Sequence, residues 1–138
     1  MKKTIIILSG IPCSGKSTFA RSQEGHIPIL SCDTMRHQIF GAGYKHNSKG
    51  EERVWNSFYF QVANQRGTFI VDNTNCKKIY IDRLKEIHPD WPYTIIRFDC
   101  TLNQAYYRNI KRYLLTGKWI PIAVIKNMKK NYDNLWKE

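Results

Sequence analysis

The densest chemistry in this chain lies in eight residues near its start, GIPCSGKS at positions 10–17. Gly10, four intervening residues, then Gly15, Lys16 and Ser17 satisfy G-x-x-x-x-G-K-[ST] at every fixed position. Two glycines let backbone N–H groups turn inward around a β-phosphate, the lysine reaches the β/γ-oxygens, and the serine hydroxyl faces Mg²⁺. Gly10, Cys13, Ser14, Gly15, Lys16, Ser17 and Thr18 thus form a binding loop for ATP or another nucleoside triphosphate, with Thr18 reaching the α-phosphate. The loop names a phosphoryl donor and leaves the acceptor open.

Asp33 and Arg36 supply the first indication of an acceptor, because three residues apart on a helix they face one cleft. A carboxylate there takes a hydroxyl proton as general base, while a guanidinium grips a phosphate bidentately. The structural alternative is an ordinary helix cap with an ion pair. Farther on, FIVDNTN (69–75) ends in a carboxylate, Asp72, suited to orienting water on Mg²⁺. Asn73 and Asn75 after it serve equally well as caps for the next helix. Arg108, Lys111 and Arg112 lie on a helix ending in a glycine turn, and Arg112 is the candidate for a lid cation over the triphosphate. Catalytic candidates are therefore Lys16, Asp33, Arg36 and Arg112; Ser17 and Asp72 are the candidate metal ligands.

Other residue types carry less. His26, His37, His46 and His88 show no ligand spacing and read as surface or loop histidines. Most aromatic residues serve the core, with Tyr44, Trp55 and Tyr59 placed near the acceptor side, where they could stack on bases. Cys13, Cys32, Cys76 and Cys100 form no C-x-x-C pair, which points to reduced thiols in a cytoplasmic protein.

The elements that must hold these residues alternate. TIIILS (4–9) is a buried strand leading through the loop into a helix from Lys16; IPILS (27–31) is a second strand, and Asp33 is placed to cap the helix that follows. Ser48 and Glu51 have capping-box spacing, and Trp55, Phe58 and Val62 share a helical face up to Gly67. TFIVD (68–72) and YTIIRF (93–98) are the third and fourth strands, separated by an amphipathic helix through Tyr80, Leu84 and Ile87. Thr101 and Gln104 open a helix to about Leu115; Gly117 stops it, and Pro121 starts a last helix with Ile122, Ile125, Met128, Tyr132 and Leu135 on its buried face. Strand–helix alternation with crossovers implies a three-layer α/β/α sandwich around a parallel sheet, with ligands at the carboxyl ends of the strands.

Length and charge set the bounds. At 138 residues the chain is expected to be a single domain, and its longest apolar run, Ile5 to Leu8, is far too short to span a membrane. Twenty-two Lys and Arg against 11 Asp and Glu leave +11, which favours a polyanionic partner. Residues 103–138 hold eight basic side chains against Asp133 and Glu138, a local +6.

Taken in order, GIPCSGKSTFAR, SCDTMRHQ, IVDNTN, RNIKR and IPI-x-VIKNM resemble the kinase domain of phage-type 5′-hydroxyl polynucleotide kinase, nearly end to end. The resemblance implies a P-loop NTPase fold with strand order 2-3-1-4 and a helical lid near 108–121. It implies donor binding by Lys16 and Ser17, Asp33 as general base, Arg36 on the acceptor's 3′-phosphate and Arg112 on the donor phosphates. The family's third-strand carboxylate stands where Asn73 is here, one place after Asp72, and the lid turn of this chain is longer. The expected activity is transfer of the γ-phosphate of ATP, with Mg²⁺, to the 5′-OH of DNA or RNA. The alternatives are a small-molecule, nucleoside or modified-base kinase, and a nucleic-acid-binding NTPase that transfers nothing. A homo-oligomer is left open.

Overall fold

Strand β1 (Ile5–Ser9) is apolar on both faces because both faces are covered. Ile5 and Ile7 turn to one side and Ile6 and Leu8 to the other, and the strand sits between β3 (Phe69–Val71) and β4 (Tyr93–Arg97). This computed structural model describes residues 3–137. Ile7 pairs with Val71 and with Ile95, and short β2 (Ile29–Leu30) joins the far edge of β3, so the all-parallel order is β2-β3-β1-β4.

The two faces are filled differently. Ile5, Ile7, Phe69 and Val71 meet Met35 of α2 (Cys32–Phe40), Val54, Phe58 and Val62 of α3 (Ser48–Ala63), and Ile81 and Leu84 of α4 (Lys78–Ile87). On the opposite face Leu8 and Ile70 pack with Ala20 of α1 (Lys16–Ser22). A third cluster joins Ile11, Cys76 and Cys100 to Ala105 of α5 (Leu102–Thr116) and Ile125 and Tyr132 of α6 (Ile122–Leu135). Helices therefore cover both sides of a four-stranded parallel sheet. No helix among the described residues is long and apolar enough to cross a membrane.

Several caps differ from the sequence expectation. Ser31, where β2 ends, accepts the Thr34 N–H at 3.0 Å and caps α2, which places Asp33 inside the first turn with its carboxylate not used as the cap. Asn47, one residue before the expected Ser48, accepts from Gly50 N–H at 2.9 Å, and this releases Glu51 from a capping role. Asn73 and Asn75 do not cap α4, whose first turn has no side-chain cap. The Thr101–Gln104 box forms as read, with both reciprocal bonds at 3.0 and 3.1 Å. Ile122, expected in the core, is exposed at the outer end of the α5–α6 hairpin, as are Leu114, Leu115 and Trp119 beside it.

The hairpin itself is fixed by one residue. Buried Asn109 donates through Nδ2 to the Ile120 carbonyl at 2.8 Å and accepts from the Ile120 N–H at 3.2 Å, closing the turn that Gly117, at φ +75°, makes possible.

Candidate active site

At the carboxyl end of β1 the chain leaves Ser9 and wraps into the loop. Gly10 N–H donates to the Thr74 carbonyl at 2.9 Å, which ties the loop base to the segment after β3. A Cβ on Gly10 would stand 2.7 Å from Ser14 Oγ and 3.0 Å from Phe98 Cβ, so only glycine fits. Gly15 adopts φ +104° as the residue before α1, and Cys13 adopts φ +66°, a left-handed conformation uncommon for a side-chain-bearing residue. Lys16 is buried and donates through Nζ to the Ile11 carbonyl at 3.0 Å, so the loop closes around its own lysine. Burial lowers the pKa of that ammonium, opposed by the nearby Asp72 carboxylate.

Two observations test whether a triphosphate and its metal fit. Ser14 Oγ is buried without a hydrogen-bond partner, unlike any other buried side-chain polar atom among the described residues, and it lies across the loop against Gly10. An anionic oxygen would satisfy it. Ser17 and Asp72 line one cleft of about 440 Å³ together with Ser31 and Thr34. Burial raises the pKa of Asp72, with Lys16 opposing it. One hydroxyl and one carboxylate suit Mg²⁺, which takes its remaining ligands from phosphates and water; no cluster of three or more His, Cys, Asp or Glu suited to a metal occurs among the described residues.

The acceptor candidates converge more tightly than their spacing required. Arg36 Nη1 donates to Asp33 Oδ1 at 2.6 Å, and Arg36 Nε and Nη2 donate to Glu51 at 3.0 and 2.6 Å. The side chain of Arg36 is 18% exposed and that of Asp33 93%, so a held guanidinium presents an open carboxylate. Burial works against the charge on Arg36, but the bonds it donates to Glu51 outweigh it and raise its pKa; the same bonds draw Glu51 below the usual carboxylate range. Tyr44 Oη also donates to Glu51, at 2.9 Å. Glu51 is the residue that sequence reading missed as part of the site, since fifteen residues separate it from Arg36 and its local pattern suggested a cap.

The residues after Asp72 are structural. Asn73 Oδ1 accepts the Cys32 N–H at 2.8 Å, fixing the first turn of α2 and therefore Asp33 relative to β3. Asn75, at φ +45°, donates to the Leu8 carbonyl at 2.7 Å, while its own carbonyl accepts from Ser9 Oγ at 2.9 Å. Trp136 Nε1 donates to the same Ser9 Oγ at 3.0 Å, which anchors the end of α6 behind the loop.

On the α5–α6 hairpin, Arg108 rather than Arg112 touches the loop: its Nη1 donates to the Cys13 carbonyl at 3.0 Å. Arg112 lies exposed one helical turn farther out on the same face. Trp55 and Tyr59 are half-buried, packed against each other and Phe58, with Trp55 also stacked on Tyr80.

Comparison with known proteins agrees with this fold. A family model described as an AAA domain matches residues 5–135. The L-seryl-tRNA(Sec) kinase of Methanococcus maripaludis is 32% identical over 141 residues, a match covering 94% of this chain and 52% of the relative. A chain in the structure of the Pnkp1/Rnl/Hen1 RNA repair complex superimposes with a TM-score of 0.83 at 26% identity, covering 96% of this chain and 45% of that one. A gluconokinase from Sinorhizobium meliloti 1021 shares the fold, with a TM-score of 0.64 at 16% identity over 98% and 78% of the two chains. This chain spans about half the length of the first two. With its phosphate loop, parallel 2-3-1-4 sheet and match across nearly all described residues, the chain belongs to the AAA domain family and is built on the P-loop kinase fold.

Proposed function

We propose that this protein is an ATP- and Mg²⁺-dependent kinase that phosphorylates the 5′-hydroxyl end of DNA or RNA. The observation that carries the reading is the Asp33–Arg36–Glu51 array beside the phosphate loop. Arg36 uses Nε–H and one hydrogen on each terminal nitrogen within the array, which leaves two of its five donors for a phosphate oxygen. Asp33, exposed and adjacent, accepts the proton of a hydroxyl next to that phosphate. A hydroxyl one nucleoside away from a phosphodiester is what a 5′ strand end presents.

In the transfer, the acceptor oxygen bonds to the γ-phosphorus as the bond to the β-phosphate oxygen breaks; the hydroxyl proton goes to Asp33 and the nucleoside diphosphate leaves. Lys16 offsets charge on the phosphates from inside the loop, and Arg112 does so when the hairpin closes, with Arg108 anchoring the hairpin to Cys13. Mg²⁺, held through Ser17 and Asp72, would supply Lewis-acid neutralisation of the β- and γ-oxygens. The net +11 charge and the similarity to a chain of an RNA repair complex support a nucleic-acid acceptor.

A second reading, transfer to a hydroxyl carried elsewhere on an RNA, is favoured by the 32% identity to a kinase named for seryl-tRNA. Labelled ATP incubated with 5′-hydroxyl oligonucleotides of DNA and RNA, serylated tRNA, free nucleosides and no acceptor separates the readings. Label at a strand's 5′ end supports the first; label only on serylated tRNA, only on nucleosides, or only in free phosphate rejects it.

A further inference from the structure

Three aromatic rings adjoin the acceptor array through Tyr44, whose hydroxyl donates to Glu51. Tyr44 stacks on Phe40 with centroids 4.4 Å apart and planes 12° from parallel, and on His46 at 5.4 Å and 26°. Tyr44 is seated firmly: the hydroxyl end of its ring abuts Gly50 in the first turn of α3, where a Cβ would come within 2.5 Å of Oη and 3.0 Å of Cε1. Its hydroxyl is held by Glu51, and His46 Nδ1 lies 3.9 Å from Glu51 Oε1, the same oxygen that receives Arg36 Nη2. One carboxylate thus holds both the guanidinium of the acceptor array and the Tyr44 ring on which Phe40 and His46 stack.

The far end of this series is open. The side chain of His46 is 64% exposed, and Lys45, Lys49 and Arg53 are exposed cations of the same segment, with the Arg53 guanidinium 5.6 Å from the Phe40 centroid. Glu52 is the exposed acid on the same helix turn. Flat rings with a free outer face, interleaved with cations, are the combination that binds single-stranded nucleic acid through its bases and backbone together.

Resting on the reading of a nucleic-acid acceptor, we propose that Phe40, Tyr44 and His46 form a base-stacking platform in which His46 is the outer ring and takes a nucleobase flanking the phosphate held by Arg36. Stacking is indifferent to base identity, so the platform selects a strand over an isolated sugar or small hydroxyl compound and does not select a sequence. Binding energy from the base positions the 5′-hydroxyl against Asp33.

The test is steady-state transfer from ATP to a 5′-hydroxyl oligonucleotide, to the same strand made abasic at its first or second position, and to each strand with the His46→Ala, His46→Phe and Gly50→Ala variants. The expected result is a KM for the intact strand raised about tenfold in His46→Ala and in Gly50→Ala, which displaces Tyr44, with recovery in His46→Phe and an unchanged KM for ATP. An abasic strand should show the raised KM with the wild-type protein and no further rise with His46→Ala. Equal KM values for intact and abasic strands, or an intact-strand KM unmoved by His46→Ala, overturn the platform while leaving the kinase reading in place. A wild-type protein that labels no 5′ end overturns both, and is told apart by the absence of any signal to compare.

Discussion

Arg36 and Glu51 meet between α2 and α3 through three hydrogen bonds, Nε to both carboxylate oxygens and Nη2 to Oε1 at 2.6 Å. This pair locks the orientation of a guanidinium whose third nitrogen faces Asp33. Removing the carboxylate charge leaves Arg36 able to rotate away from the cleft and leaves a mostly buried cation poorly partnered. Glu51→Gln should therefore lower kcat/KM for the acceptor by about 10- to 100-fold, in line with the roughly 1.5–3 kcal/mol of a hydrogen bond to a charged group. The KM for ATP should remain near wild type. An unchanged acceptor kcat/KM would remove Glu51 from the site.

The same pair sets a pH dependence. Glu51 has a folded-state pKa below its ordinary value, because Arg36 and Tyr44 donate to it. A depressed carboxylate contributes stability that is present above its unfolded pKa and disappears as pH falls through the folded one. Thermal melts of wild type and Glu51→Gln should differ most near neutral pH and converge as pH drops below the usual carboxylate range. A constant gap down to strongly acid pH would contradict the linkage.

Gly10→Ala tests the loop directly. The added Cβ would stand 2.7 Å from Ser14 Oγ, with Phe98 closing the other side, so the loop must shift. ATP affinity measured by calorimetry should fall by at least tenfold, about 1.4 kcal/mol or more, whereas Gly43→Ala, at a site with open space around it, should leave affinity alone.

Thiol reactivity should divide by position. Burial pushes the Cys32 thiol up to about 12, with Arg36 and Asn73 opposing, and the Cys76 thiol up to about 11, with Lys16 opposing. At pH 8 both stay neutral and shielded. Brief alkylation followed by mass mapping should label half-exposed Cys13 first, and ATP should slow that labelling because the residue lies in the phosphate loop. Early labelling of Cys32 would show that the start of α2 is not packed as described.

The lid arginines should separate by role. Arg108→Ala removes the bond to the Cys13 carbonyl that anchors the hairpin, so it should weaken ATP binding and transfer together. Arg112→Ala, without a loop contact in this state, should lower kcat by about 10²-fold or more while ATP affinity stays close to wild type. Equal, small effects on kcat from both variants would exclude Arg112 from the transition state.

Much of this site was legible in the sequence because its parts are local. The phosphate loop is a contiguous spacing pattern, and Asp33 and Arg36 fall on one face of one helix, so position and chemistry could be read together. The Thr101–Gln104 cap followed from its spacing in the same way, and the strand order from the family resemblance. What sequence could not show were pairings set by tertiary packing. Glu51 looked like half of a capping box, yet Asn47 took the cap and α3 crossed α2 so that the carboxylate met Arg36. Arg108 and Arg112 are indistinguishable by helical face; only the seating of α5 against the loop brings Arg108 to Cys13. The seat of the Tyr44 hydroxyl end depends on the absent Cβ of Gly50, a relationship between a loop and a helix that no local pattern encodes.

The central claim is that Asp33 removes a proton from a strand's 5′-hydroxyl, and the Asp33→Asn variant tests it most directly. The substitution keeps the shape of a side chain that is 93% exposed, so the fold should be unaffected. With labelled ATP and a 5′-hydroxyl oligonucleotide, the account predicts that label transfer to the 5′ end falls by about 10²- to 10⁴-fold while the Kd for ATP stays within about twofold of wild type. Transfer by Asp33→Asn at the wild-type rate would contradict it.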